Sequence, residues 1–255
     1  MFQTERRSRI LEAVRAEGRL SVNEAAERLS TTPETIRRDL AELHRAGLLR
    51  RVHGGAVSAG PPQFERLVER RSQLHVEAKR RIAAAAVAAL PVRGSVIIDA
   101  GSTPRLVATL LPDSPGLTVV TNSVPTAVVC ATKPHLDVIV VGGELKLDTM
   151  ALVGDDAVRG IDQVCADVAV LGTDGFSVER GLTCHARDES ATKRAMLRAA
   201  SRTIAVADSS KFGSDYLNVF GDVGDLDVLI TDADLPEAAA ARLAKSARGL
   251  ELLRV

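Results

Sequence analysis

Two sets of residues in this chain have the types and spacing for recognition chemistry. Arg37 and Arg38, followed by Arg50, Arg51 and His53, bring several cations into one short stretch. A guanidinium presents its N–H groups as a planar fork, which can hold a phosphate or bond bidentately to a guanine edge. The second set is a series of short runs: Asp99-Ala100-Gly101-Ser102-Thr103, Thr121-Asn122-Ser123, Gly142-Gly143-Glu144, Gly172-Thr173-Asp174-Gly175 and Asp208-Ser209-Ser210-Lys211. Gly101, Ser102 and Thr103 open a helical stretch, where free backbone N–H groups and the helix dipole suit an anion such as phosphate. Lys211 can add a point charge to that anion. Asp99, Asn122 and Asp174 are suited to the hydroxyls of a sugar.

The elements that must carry the arginines can be read from caps and periodicity. Ser21 with Glu24 forms a capping-box pattern, so a helix is predicted from about Val22, burying Val22, Ala25, Ala26 and Leu29. Thr32 before Pro33 marks a second start, because Pro at the first helical position loses no hydrogen bond. Ile36, Leu40 and Leu43 fall at i, i+4 and i+7 and point inward, which turns Glu34, Thr35, Arg37 and Arg38 outward. Gly47 suits the left-handed stop of that helix. Leu48 to Val57 reads as a β-ribbon with Arg50, Arg51 and His53 near a Gly54-Gly55 tip, and a helix over Glu5 to Glu17 supplies Ile10, Leu11 and Val14. The outline is a winged helix-turn-helix reader of duplex DNA over residues 1–57. Its candidate interface is Ser21, Thr31, Thr32, Pro33, Glu34, Thr35, Arg37, Arg38, Arg50, Arg51, His53 and Gly54. Merely solvated surface arginines are the plain alternative, and the ordered succession of caps, arginine pair and glycine tip argues against it.

Residues 58–75, which contain Gly60-Pro61-Pro62, read as a linker. From 76 to 255 short β-branched runs (95–99, 117–121, 136–141, 167–171, 202–207, 226–231 and the carboxyl end) alternate with Ala- and Leu-rich stretches. That alternation predicts βαβ units and a mainly parallel sheet covered on both faces. The polar runs follow the strands, at the edge where open α/β sheets bind ligands.

Composition agrees with two unequal domains. In 255 residues, 45% hydrophobic but only 2% aromatic, the core must be built from Ala, Val, Leu and Ile. Net charge is zero, yet residues 1–57 hold eleven arginines against eight acids, and residues 82–255 are acidic. A basic head on an acidic body is expected when one domain touches phosphate and the other repels it. Cys130, Cys165 and Cys184 are odd in number and widely spaced, which fits reduced thiols and argues against zinc. The start MFQTERRSRI lacks a signal-like apolar stretch and no run reaches the ~20 apolar residues of a membrane span, so a cytoplasmic protein without membrane partners is expected. P-loop, G-x-G-x-x-G, H-E-x-x-H and G-x-S-x-G patterns are missing. Glu189 and Lys193 lie one helical turn apart and could act as base and electrostatic partner in an enzyme, but an ordinary i, i+4 ion pair or a binding role is preferred. His75, His135 and His185 are scattered and receive no catalytic role. A DNA-binding scaffold whose second domain serves only for assembly is the third reading.

The stretch TTPETIRRDLAELHRAGLLRRVHGGAV resembles the amino-terminal signature of the DeoR-type bacterial transcriptional regulators. The segments VIIDAGSTPRLVATLL, VVTNSVPTA, VVGGELKLDTMALVG, ADVAVLGTDGFSVERGLTCHARDESATKRAM and VADSSKFG resemble their sensor domain, which is similar in fold to ribose-5-phosphate isomerase. The resemblance implies a repressor of a carbohydrate-catabolism operon, released from operator DNA by a phosphorylated sugar or polyol, with no cofactor and no catalysis. It also implies a homo-oligomer, dimer or tetramer. Matched residue by residue, the effector positions are Asp99, Gly101, Ser102, Thr103, Thr121, Asn122, Ser123, Gly142, Gly143, Gly172, Asp174, Gly175, Glu189, Lys193 and Lys211. Pro104, where the family often has a hydroxyl, and the Ala-Val-Leu before Gly172, where it often has an aromatic, are departures that bear on pocket shape. The alternative is a sugar-phosphate isomerase or deaminase fused to a DNA-binding head.

Overall fold

The computed structural model describes residues 2–58, 71–247 and 249–255. The chain divides into two compact units, Met1–Gln63 and Phe64–Val255. Most of the expected linker, residues 59–70, lies outside the described residues, and 71–75 belong to the second unit.

The first unit runs α1 (Gln3–Glu17), β1 (Arg19–Ser21), α2 (Val22–Arg28), α3 (Pro33–Arg45), β2 (Leu49–Val52) and β3 (Gly55–Ser58). Ser21 caps α2 by accepting from the Glu24 N–H at 3.2 Å, and Thr32 caps α3 by accepting from the Thr35 N–H at 3.3 Å. The expected capping box is only half made. The Glu24 carboxylate turns to Arg28 at 2.6 Å, and Ser21 pairs as a strand residue with Gly55. Gly47 takes the left-handed conformation, with φ of 72°, just beyond α3. Ile10, Val14, Leu20, Ala25, Ile36, Leu40, Leu43 and Leu49 form the core between the three helices and the ribbon. Among the described residues Asp39 on α3, 1% exposed, is the one buried charge of this unit, and it receives the Nε–H of Arg6 at 2.5 Å and of Arg7 at 2.9 Å. Burial alone would raise its pKa, and the two guanidiniums outweigh that and hold it below the ordinary carboxylate value.

The second unit is built on seven parallel strands in the order β15-β14-β12-β9-β4-β5-β6. They are β4 (Gly94–Ile98), β5 (Leu117–Thr121), β6 (Leu136–Val140), β9 (Ala166–Gly172), β12 (Ala200–Val206), β14 (Val228–Thr231) and β15 (Glu251–Arg254). Alternate residues feed opposite faces. Ile97, Val120, Ala169, Leu171, Ala205 and Leu229 pack under α7 (Asp155–Asp162), α8 (Arg187–Ala199) and α9 (Glu237–Ser246). Val96, Ile98, Val119, Val170, Ile204 and Ile230 pack under α4 (Val76–Ala88), α5 (Ser102–Leu110) and α6 (Val124–Ala131). Both faces are thus buried along the central strands, which is why these read as continuous β-branched runs, whereas the edge strand β6 leaves Ile139 and Val140 exposed. An antiparallel pair, β7 (Glu144–Lys146) with β8 (Ala151–Val153), and a small sheet of β10 (Gly175–Ser177), β11 (Gly181–Cys184) and β13 (Asn218–Gly221) complete the unit.

The chain first lays down β4, β5 and β6 in one direction, then returns to place β9 on the other side of β4. The loops after β4 and β9 therefore part from each other at their carboxyl ends. Such a switch point leaves a crevice where ligands bind in open α/β sheets.

Candidate functional site

The outer face of α3 and the β2–β3 ribbon carry the cations of the first unit. Arg37 and Arg38 are exposed and, among the described residues, pair with Glu34 alone, at 3.3 and 3.8 Å. Arg50, Arg51, His53 and Gly54 are exposed on the ribbon, with Gly54 at φ of 80° in the turn. The Ser21 and Thr32 hydroxyls are committed as caps, and the Thr35 hydroxyl bonds that of Thr32 at 2.9 Å. Pro33 and Glu34 are exposed in the first turn of α3, with half-buried Thr31 just before it.

At the switch point of the second unit lies a cavity of about 150 Å³. Asp99, Gly101, Ser102, Thr103, Asn122, Gly172, Asp174, Glu189, Lys193 and Lys211 all line it. Its centre is an ion pair between Asp99 on the β4 loop and Lys193 on α8, both almost fully buried. Asp99 also accepts the Gly172 N–H at 3.0 Å and the Ala100 N–H at 2.8 Å, while Lys193 donates to the Gly172 carbonyl at 2.9 Å. The pair thus ties β4, β9 and α8 together across the crevice. Burial pushes the Asp99 carboxyl up, opposed by Lys193 and the Gly172 N–H. Burial disfavours the Lys193 ammonium, but the Asp99 charge wins and holds it above the ordinary lysine value.

Other carboxylates of the cavity are also partnered. Glu189 meets Lys146 at 3.4 Å, and Asp174 receives His185 Nδ1 at 2.8 Å. Burial raises Asp174, but the His185 hydrogen bond and Lys193 outweigh it, so its pKa lies below the usual value. The expected Glu189–Lys193 ion pair is corrected: Lys193 turns inward to Asp99 and Glu189 turns to the β7 end. Asn122 accepts the Ala100 N–H at 3.1 Å and donates to the Leu152 carbonyl at 3.2 Å, so it fixes the β4 loop.

A second cluster on the wall has the opposite character. Arg71, Lys79 and Lys211 have no ion-pair partner among the described residues. Lys79 is 4% exposed and donates to the Arg71 carbonyl at 2.6 Å. Burial lowers its pKa, with the charges of Lys211 and Arg71 adding to that and Asp208 opposing it, and all four groups line the same cavity.

The DeoR C terminal sensor domain family matches residues 74–233, and the DeoR-like helix-turn-helix domain family matches residues 6–61. The chain belongs to the DeoR family. It is 33% identical over 240 residues to the glycerol-3-phosphate regulon repressor of Escherichia coli (strain K12), covering 92% of this chain and 93% of that protein. It is 36% identical over 235 residues to the HTH-type transcriptional regulator GlpR of Haloferax volcanii, covering 92% of each. With the transcriptional repressor AccR of Agrobacterium fabrum it shares 35% identity over 236 residues, 90% of this chain and 89% of that one. Among solved structures it is similar to a D-ribose-5-phosphate isomerase in complex with phospho-erythronic acid, at 19% identity and a TM-score of 0.42 over 56% of each chain. As a DeoR-family protein the chain is a transcriptional repressor with a helix-turn-helix DNA-binding head and a sensor domain.

Five expected effector residues of this DeoR-family repressor lie off the cavity. Thr121 is fully buried and donates to the Ile98 carbonyl at 2.6 Å, and Ser123 caps α6 and lines a small adjoining pocket with Arg105. Gly142 is exposed, and Gly143 is a packing glycine, since a Cβ there would sit 2.5 Å from the Val153 carbonyl. At Gly175 an added Cβ would lie 1.9 Å from the Ser214 carbonyl. Gly175→Ala is therefore expected to destabilise the sensor domain by at least about 1–3 kcal/mol, read as a lowered midpoint in urea. In the other direction, Arg71, Leu74, His75, Lys79 and Thr149 line the cavity without having been expected there. Lys79 left a signal: it shares the apolar stripe of α4 with Ile82, Ala83 and Ala86, where a lysine needs a reason.

Proposed function

We propose that this repressor is released from its operator by a phosphorylated sugar or polyol bound at the switch-point cavity. The observation that carries this is the segregation of charge inside the cavity. Among the described residues Arg71, Lys79 and Lys211 line the cavity without ion-pair partners and outnumber Asp208, the carboxylate that acts on Lys79, while Asp99, Asp174 and Glu189 are each met by a partner, Lys193, His185 and Lys146. A dianion next to these three cations relieves their repulsion, and the N–H groups opening α5 at Ser102 and Thr103 add donors. The compensated end presents neutralised polar groups, fit for hydroxyls. Lys211→Ala is expected to leave operator affinity unchanged and to abolish release by the effector.

Release follows when the ligand binds the DNA-incompetent state more tightly, and DNA then weakens the ligand by the same factor. Two heads of a homo-oligomer on paired half-sites would multiply the affinity for DNA. The test is a thermal-shift screen of phosphorylated sugars and polyols, each beside its unphosphorylated parent, followed by operator release. A bound ligand stabilises by RT ln(1 + [L]/Kd), about 2.7 kcal/mol at a hundredfold excess over Kd. A shift with a phosphate ester and not its parent supports the reading. A parent that shifts as much as its ester overturns the phosphate assignment.

A further inference from the structure

The Asp39–Arg6–Arg7 triad of the DNA-binding head has hydrogen-bonding capacity that its structural role leaves unused. Asp39 takes one Nε–H from each of Arg6 and Arg7, and among the described residues the Nη groups of both arginines have no hydrogen-bond partner. The side chains of Arg6 and Arg7 are 14% and 28% exposed, so their outer edges reach the surface while their inner edges are pinned. Asp39 follows Arg38 on α3, so the two guanidiniums lie along the flank of the same helix that turns Arg37 and Arg38 outward. A helix is about 10–12 Å across and the major groove about 12 Å wide, so the flanks of an inserted helix run against the phosphate walls. Whatever is held beside α3 meets phosphate. A lone buried carboxylate there would repel the DNA, whereas Asp39 with two arginines carries a net charge of one positive unit.

We propose that Arg6 and Arg7 are backbone-phosphate contacts of this repressor and that Asp39 is their positioning residue. Pinned by Nε, each guanidinium keeps its Nη pair directed outward as a preformed fork, so little side-chain freedom is lost on binding. Such contacts set affinity and register without reading sequence. They therefore operate on any duplex, whatever the operator.

The test measures binding of the full chain to a random-sequence duplex of about 30 base pairs as a function of potassium chloride. Each phosphate contact contributes about 0.9 to the slope of log K against log salt. Arg7→Met, which leaves Arg6 on Asp39, is expected to lower the slope by about that amount, and Arg6→Met likewise. Asp39→Asn is expected to weaken binding even though the head gains a positive charge, whereas charge counting alone demands stronger binding. A slope unchanged in a folded Arg7→Met variant, or Asp39→Asn binding more tightly, overturns the proposal. Should Arg7→Met fail to fold, phenylglyoxal labelling of the wild-type chain reads the same contact. Labelling of Arg6 and Arg7 falls with DNA bound if they touch phosphate, and labelling unaffected by DNA overturns it.

Discussion

Replacing Arg37 and Arg38 together by alanine is expected to lower affinity for the operator by about thirtyfold or more, with the fold intact. Each arginine that reaches a base edge is worth about 1–3 kcal/mol, and about 1.4 kcal/mol is a factor of ten. What they give up to reach DNA is small. Among the described residues both pair with Glu34 alone, at 3.3 and 3.8 Å on an exposed surface, and such pairs contribute about 0–1 kcal/mol. Their side chains are 52% and 80% exposed, so truncation should change stability by no more than about 0.5 kcal/mol. The measurement is a titration of a duplex selected by the wild-type protein from a random pool, beside a thermal melt. Base-edge contacts also predict relaxed preference at particular base pairs, whereas phosphate contacts predict uniform weakening and a shallower salt dependence. Wild-type affinity in the double variant would remove α3 from the groove.

The head was legible because its signals are local. Thr32-Pro33 starts α3, Ile36, Leu40 and Leu43 give its inward stripe, and Gly47 stops it, all within sixteen residues. Strand β1 was not, because Arg19–Ser21 is extended only through its pairing with β3, where Arg19 faces Val57 and Ser21 faces Gly55. The same holds for β13, a short strand whose partner β11 is distant in sequence, with Cys184 facing Asn218. The parallel sheet announced itself through its buried β-branched runs, but strand order did not. That order decides which polar loops share a site. The loops after β4, β9 and β12 adjoin the switch point, and each sends residues into the cavity. Gly142 and Gly143 follow β6, two strands from β4 at about 4.8 Å per strand, and so lie off the cavity although their composition is similar. Lys79 went unassigned for the complementary reason: it precedes the sheet on α4, and only packing brings it to the loops.

The Asp99–Lys193 pair should show its importance through asymmetry between single and double substitutions. Lys193→Met leaves the Asp99 carboxylate buried with only backbone donors, and Asp99→Ala leaves the Lys193 ammonium buried with only the Gly172 carbonyl. Removing one partner of a buried ion pair costs about 3–5 kcal/mol, because the other charge keeps its desolvation penalty and loses its compensation. Asp99→Asn combined with Lys193→Met removes both charges, keeps an acceptor for the Gly172 N–H, and should cost less than either single change. The urea unfolding transition of the sensor domain measures all three. Single variants losing less than about 1 kcal/mol would show that water already screens the pair. The same cycle separates stability from sensing. Asp99 already accepts from Lys193 and two backbone N–H groups, so it holds the loops of β4 and β9 in place. On the proposed effector reading the double variant should therefore regain stability without regaining full effector affinity, since Lys193 itself lines the cavity and its replacement removes a donor from it.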